Sequence, residues 1–152
     1  MKSLLNPRDE AEVGERLSRL RPESPRRWGR MSAHQMVCHL CDSFRAAMGE
    51  KGASPACGLF QRTAFKWIAL YLPFSWPQGI KTRPEMDQED GGTRPVQFER
   101  DLADLRGLLA RFAQPPRDFV RPPHPIFGEM SERQWRRWGY LHLDHHLRQF
   151  GL

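Results

Sequence analysis

Apolar residues recur along this chain at three- and four-residue intervals, and no stretch shows the two-residue alternation of a half-buried strand. Val13, Leu17 and Leu20 make one such stripe, which predicts a first helix from Asn6 or Pro7 to about Leu20. Proline suits the first helical turn, because the N–H it lacks would have been unpaired there. Pro22 and Pro25 then stop the helix. A second helix is expected from Ser32 to about Met48, with Met36, Leu40, Phe44 and Ala47 as its core arc. It opens on a capping box, Ser32-Ala33-His34-Gln35, and Gly49 and Gly52 end it. The apolar run that follows predicts a third helix over Cys57 to Leu72, before Pro73 and Pro77.

Between Gln78 and Pro95 the chain turns polar and rich in turn residues, which reads as a surface loop. Phe98, Leu102, Leu105, Leu109 and Phe112 then predict a fourth helix from Val96 to Phe112. Pro115, Pro116, Pro122, Pro123 and Pro125 prevent the segment from Gln114 to Met130 from being helical throughout. A second capping box, Ser131-Glu132-Arg133-Gln134, opens a last helix that reaches the C-terminus. Four long helices with intervening loops give an all-α expectation, a four-helix bundle in one domain over residues 1–152. A chain of this length buries roughly two-thirds of its unfolded surface, so a core needs no disulfide to hold it.

Composition changes this picture little. The most apolar run, Phe65 to Trp76, contains Lys66 and Pro73 and falls short of the roughly 20 residues of a bilayer span. The first residues lack the apolar core of a signal peptide. Three cysteines suggest reduced thiols rather than a disulfide framework, so a cytoplasmic protein with no membrane partner is expected. The formal net charge of +6 raises the question of nucleic acid. Arginine supplies it, spread along the whole chain rather than gathered in a tract, which weighs against a nucleic-acid face.

The histidines carry the candidate chemistry. On a helix His142 and His146 lie about 40° apart on one face, beside Trp135, Gly139 and Gln149. Arg137, Asp144 and Arg148 take the opposite side, so this pair points inward. His145 falls at the edge of the apolar arc. His39 shares a stripe with Asp42, Ser43 and Ala46 at the border of the second helix's core, whereas His34 projects away toward Arg45 and is expected in solvent. An inward pair four residues apart, joined by a third imidazole from a facing helix, suits a divalent cation with one coordination position left open. The same residues also suit a hydrogen-bonded core.

At these residues the chain resembles the DinB/YfiT-like metalloenzyme superfamily. Met31-Ser32-Ala33-His34-Gln35-Met36-Val37-Cys38-His39-Leu40 is similar to its second-helix signature. His142-Leu143-Asp144-His145-His146-Leu147-Arg148-Gln149-Phe150-Gly151 is similar to its last ligand helix. Together with His124-Pro125-Ile126-Phe127-Gly128, these ends resemble an uncharacterised bacterial subfamily described only as a domain of unknown function. The resemblance implies an up-down-down-up four-helix bundle holding a divalent metal (Zn, Ni, Fe or Mn) by His39, His142 and His146. Relatives in that superfamily include transferases and isomerases that use the thiols bacillithiol or mycothiol. The reading that follows is a metal-dependent hydrolase or thiol transferase acting on a small molecule. A non-enzymatic metal-binding stress-response module is its rival, ahead of a basic nucleic-acid-binding protein, and a homodimer stays open.

Further residues could assist. His124 could donate a proton or a further ligand from a loop with Phe127 as lid, or that loop could plug the end of the bundle. Asp42, one turn after His39, could orient an imidazole or be a solvated charge. Gln149 shares the face of the pair. Cys38 and Cys41 make a CxxC spacing whose sulfurs face away from His39, and small buried thiols are expected there rather than a zinc or redox motif. Trp67, Trp135 and Trp138 are expected in the core.

Overall fold

A computed structural model describes every residue of the chain except Cys57, Phe74 and Pro116. The described residues are all-helical and contain no strand, with helices α1 (Pro7–Ser18), α2 (Ala33–Ala47), α3 (Lys66–Tyr71), α4 (Phe98–Ala113) and α5 (Glu132–Gln149).

Local chemistry starts each long helix where the sequence places it. Asn6 accepts the Arg8 amide at 3.0 Å at the start of α1, with Pro7 in the first turn. Both capping boxes form in full. Ser32 accepts from the Gln35 amide while the Gln35 side chain accepts from the Ser32 amide, and Ser131 and Gln134 repeat the arrangement at α5. A cap of this kind stabilises a helix by roughly 1 kcal/mol.

The buried faces meet in one core. Val13 and Leu17 of α1, Met36, Leu40 and Phe44 of α2, Leu105 and Phe112 of α4, and Trp135, Leu143 and Leu147 of α5 all belong to it. Each such side chain contributes about 1.5–3 kcal/mol on burial. Helix α2 packs on α4 and α1 on α5, while α2 also meets α5. Gly139 of α5 lets Leu4 and Phe112 of α4 pack close against it, because a Cβ there would fall 2.8 Å from Leu4 Cδ1 and 2.9 Å from Phe112 Cε1.

Three expectations need correction. The third helix is shorter and irregular: a wide π-type turn over Gln61–Phe65 leads into a six-residue α3, and Cys57, its expected start, lies outside the described residues, as does Pro116 of the proline-rich segment. Its residue Trp67, expected in the core, is 57% exposed, whereas Trp135 and Trp138 are buried. The segment from Gln78 to Pro95 is not simply a surface loop. A 3-10 turn at Pro84–Met86 drives Met86 and Gln88 into the interior against α2.

Candidate metal centre

The heart of the candidate site is a junction between α2 and α5. His39 comes from the middle of α2, and His142 and His146 come from successive turns of α5. His39 and His146 are buried and His142 is half-buried. The Nε2 atom of His142 lies 3.2 Å from Nε2 of His39 and 3.2 Å from Nε2 of His146. All three of these atoms lie within 4.8 Å of one another.

The outer nitrogens determine what the inner ones can do. His39 Nδ1 sits 2.9 Å from the carbonyl oxygen of Met86. A carbonyl only accepts, so Nδ1 carries the hydrogen and Nε2 keeps a free lone pair. His146 Nδ1 sits 3.1 Å from Gln149 Oε1, and the Gln149 amide nitrogen donates to the Trp28 carbonyl at 2.9 Å. That second contact fixes the amide's direction, so His146 Nδ1 is also the donor and its Nε2 also presents a lone pair.

His142 completes an arrangement that three neutral imidazoles cannot satisfy. Its Nδ1 is buried without a hydrogen-bond partner. If Nδ1 holds the ring hydrogen, that donor is wasted and three lone pairs face one another. If Nε2 holds it, one neighbour is served and Nδ1 becomes an orphaned buried acceptor, which costs about 1–3 kcal/mol. Protonation offers no easy escape, since burial pushes the pKa of His39 down and those of His142 and His146 well down. Mutual repulsion among the rings adds to the effect at His142 and His146.

A divalent cation does satisfy it. Zinc–imidazole bonds of 2.0–2.1 Å at tetrahedral angles separate neighbouring nitrogens by about 3.3 Å. The observed separations of 3.2 Å match that edge. The donor set, its spacing and the orphaned Nδ1 all fit a metal held by His39, His142 and His146.

The supporting residues fall partly where the sequence suggests. Gln149 does orient an imidazole of the cluster, that of His146. Asp42 does not touch His39, and it is not solvated either. Wholly buried, it accepts from the amide and hydroxyl of Thr93, both at 2.7 Å, and pairs with Lys51 at 2.9 Å. It thereby clamps to α2 the loop whose Met86 carbonyl aims His39. No feature of the sequence marks that carbonyl, because a backbone oxygen carries no residue identity.

His124 is buried against Trp135 and Trp138, with ring centroids 5.3 Å away in each case, and stacks on the buried Phe127 at 4.6 Å. Its Nδ1 accepts the amides of Ile126 and Phe127, both at 3.1 Å, inside a one-rung bridge between His124 and Gly128. Burial pushes its pKa down to about 3. These contacts fix the loop from 124 to 128, and His124 stands outside the three-histidine cluster.

His142 is the least buried of the three rings. Trp76, missed as a candidate because Pro73 and Pro77 mark its segment as a helix stop, lies 6.0 Å from the His142 ring and 6.2 Å from the His145 ring. Both Trp76 and His145 line an open cleft of about 420 Å³ that also includes Tyr140, Asp144 and Arg148. His145 packs between Trp28 and Trp76 and supplies no ligand atom to the cluster.

The opposite face of α2 differs most from expectation. His34 is not in solvent beside Arg45. Its Nε2 lies 2.7 Å from Asp101 Oδ2 on α4, and its ring packs edge-on against Phe98. Cys38 and Cys41 do face away from His39, as expected, and both are buried. Cys38 Sγ approaches the same Asp101 oxygen at 3.7 Å, and Cys41 Sγ approaches the Asp101 carbonyl at 3.7 Å. Burial pushes both thiols up to about 12, with the Asp101 charge adding at Cys38.

These features define a helical protein with a three-histidine cluster between two helices and a cleft at its side. The chain belongs to the family described as protein of unknown function (DUF1569), whose model matches residues 2–151. No curated protein and no solved structure matches it. No helix among the described residues is long and apolar enough to cross a membrane.

Proposed function

We propose that this chain is a DinB-like four-helix bundle of up-down-down-up connection that holds one divalent cation by His39, His142 and His146 and acts on a small molecule by hydrolysis or thiol transfer. The observation that carries the reading is the convergence of three Nε2 atoms, two of them with lone pairs fixed by outer hydrogen bonds, onto one point. A bound cation of the zinc, nickel, iron or manganese type lowers the pKa of a coordinated water or thiol and makes it nucleophilic near neutral pH.

The protein's own residues prepare that point. The Met86 carbonyl and Gln149 hold two imidazoles in the ligating tautomer, as outer hydrogen bonds do in known metal sites. Trp138, 5.0 Å from the His142 ring, and Trp76 flank the half-buried imidazole and exclude water from its sides. The cleft beside Trp76 and His145 has the size of a small-molecule site, and its lining of Arg137, Arg148, Asp144 and Tyr140 offers polar contacts to a substrate. Low-molecular-weight thiols are among the occupants this lining suits.

The test is metal content by elemental mass spectrometry on untagged protein, for the wild type and a His142→Ala/His146→Ala variant. The wild type is expected to carry about one transition metal per chain more than the variant. A wild type that comes without metal and refuses added zinc, nickel and manganese overturns the reading.

The burial of His39 and His146 favours one rival, in which the cation only holds α2 against α5. A metal-loaded protein that binds no thiol or other small ligand at its cleft, yet melts when chelated, would establish that rival. The nucleic-acid reading draws less support, since Arg16, Arg30, Arg111, Arg117, Arg121, Arg136 and Arg148 are all engaged by carboxylates.

A further inference from the structure

Helix α2 presents a second set of ligand-type side chains on the face turned away from the histidine triad. His34 and Cys38 are four residues apart and therefore share that face, and Cys41 follows one turn later. Asp101 reaches them from the first turns of α4. His34 Nε2, Cys38 Sγ and Asp101 Oδ2 all lie within 4.8 Å of one another.

We propose that His34, Cys38 and Asp101 form a second cation site, with Cys41 as its fourth ligand, selective for a thiophilic divalent ion such as zinc. The claim is independent of the triad, with which it shares no residue.

The chemistry of the donors sets the ion class. An imidazole, a carboxylate and one or two sulfurs make a borderline-soft set, which suits zinc and excludes calcium or magnesium. The distances are close to those a bound ion needs. Tetrahedral zinc with a sulfur at about 2.3 Å and an oxygen at about 2.0 Å separates the two by about 3.5 Å. Cys38 Sγ and Asp101 Oδ2 are 3.7 Å apart already. The His34–Asp101 contact of 2.7 Å is a hydrogen bond that must open by about 0.6 Å to reach a nitrogen–oxygen edge of about 3.3 Å.

Cys41 needs a smaller change of partner. Its sulfur rests on the Asp101 carbonyl at 3.7 Å, on the same side of α2 as Cys38, and a rotation about its Cα–Cβ bond is the motion that would bring it inward. The His34 and Asp101 side chains are about one-fifth exposed, so an ion has a way in from that rim. Binding would form bonds from the ion to nitrogen, sulfur and oxygen, and would break the hydrogen bonds that Asp101 now accepts from His34 and Cys38. The Cys38 and Cys41 thiol protons leave to solvent, and the His34 ring hydrogen, directed at Asp101 from Nε2 before binding, is exchanged through solvent to Nδ1 so that Nε2 presents its lone pair. Asp101 retains the Val96 amide at 3.2 Å, which holds its carboxylate in place throughout.

Cobalt(II) tests this directly, because a cobalt–thiolate bond gives an intense near-ultraviolet charge-transfer band and three imidazoles do not. The full chain carrying Cys57→Ser leaves Cys38 and Cys41 as its thiols. Titrated with cobalt under anaerobic, reducing conditions, it should develop that band to saturation with one equivalent of ion beyond what the triad takes. Added zinc should bleach it. Cys38→Ser should lower the band at least twofold, Cys41→Ser should lower it about twofold, and His34→Ala should weaken cobalt binding at least tenfold. Circular dichroism checks that each variant is folded. The His142→Ala/His146→Ala variant in the same background should keep the band, which separates this site from the triad. Absence of the band at excess cobalt in the folded Cys57→Ser chain overturns the proposal, as does a band that Cys38→Ser leaves undiminished. Either outcome leaves these residues as a hydrogen-bonded clamp between α2 and α4.

Discussion

Helix α2 faces two neighbours, and it meets each with a histidine-bearing cluster built on a different logic. Toward α5 it contributes His39 to three bases that have no acid among them. Toward α4 it contributes His34 and Cys38 to a group that contains its own acceptor, Asp101. The first cluster is short of a positive charge, because burial keeps its imidazoles neutral while their lone pairs converge. The second is satisfied as it stands, with imidazole, thiol and amide hydrogens all directed at one carboxylate oxygen. Burial alone therefore does not define a ligand site. The balance of donors and acceptors inside the cluster decides whether it depends on an ion or only tolerates one.

The largest effect should come from removing Asp42. Replacing it with alanine leaves Lys51 without its buried partner and frees Thr93, at a cost of about 3–5 kcal/mol. Denaturant melts should register the loss, and metal content should fall as well because the Met86 carbonyl is no longer held against His39. A variant that is destabilised but retains full metal content would show that Asp42 supports the core alone. Next in size, free zinc at about 100 times its dissociation constant should stabilise the wild type by about 2.7 kcal/mol in thermal melts. The His142→Ala/His146→Ala variant should lose the α5 share of that stabilisation and keep only what zinc gains at His34, Cys38 and Asp101.

In metal-free protein the order of importance should reverse. Asp101→Asn removes the acceptor that completes the α4 cluster and should cost about 1–2 kcal/mol. His142→Phe takes away one of three competing bases and should cost less than that, or even stabilise. Equal losses in the two variants would erase the distinction between a cluster that is frustrated and one that is content.

The smallest effect, His124→Asn, supplies a control for a buried imidazole with no cation in view. The asparagine oxygen can accept the two amides now bound to Nδ1, but it does not titrate. With its pKa lowered from 6.5 to about 3 in the folded state, His124 is protonated more readily when unfolded across that window. Wild-type stability should therefore fall as pH drops below about 6.5, by at most ~1.4 kcal/mol per pH unit from this residue. The asparagine variant should show a shallower slope in urea melts at pH 7, 6 and 5. Parallel slopes would mean that His124 is paired with a negative charge after all.

Much of this was readable from residue order, and what escaped did so for identifiable reasons. The caps at Asn6, Ser32 and Ser131 are local hydrogen-bond motifs, so the starts of α1, α2 and α5 lie within a residue of where the sequence puts them. The convergence of His39, His142 and His146 follows from helical angles once two apolar arcs must face each other. His34 was misplaced because an angle measured from one core cannot anticipate a second neighbour, α4, on the other side. The wide turn over Gln61–Phe65 has no signature, since Leu59, Phe60, Trp67 and Ile68 stay exposed and their spacing reports no single buried face. The inward turn at Met86 and Gln88 is hidden for another reason: Gln88 and Thr93 bond to one buried carboxylate, Asp42, which ties this polar stretch to α2.

The Met86 carbonyl has a consequence for how this protein tolerates genetic change. The contact that aims His39 is made by the backbone, so side chains at position 86 are interchangeable as far as that imidazole is concerned, provided they fill the same pocket. Point substitution there should read as mild packing loss. A one-residue insertion or deletion between Met86 and Thr93 should be severe, because it shifts the carbonyl out of register with the Asp42 clamp. A library of substitutions would pass over this stretch as permissive, and a library of length changes would find it among the most constrained in the chain.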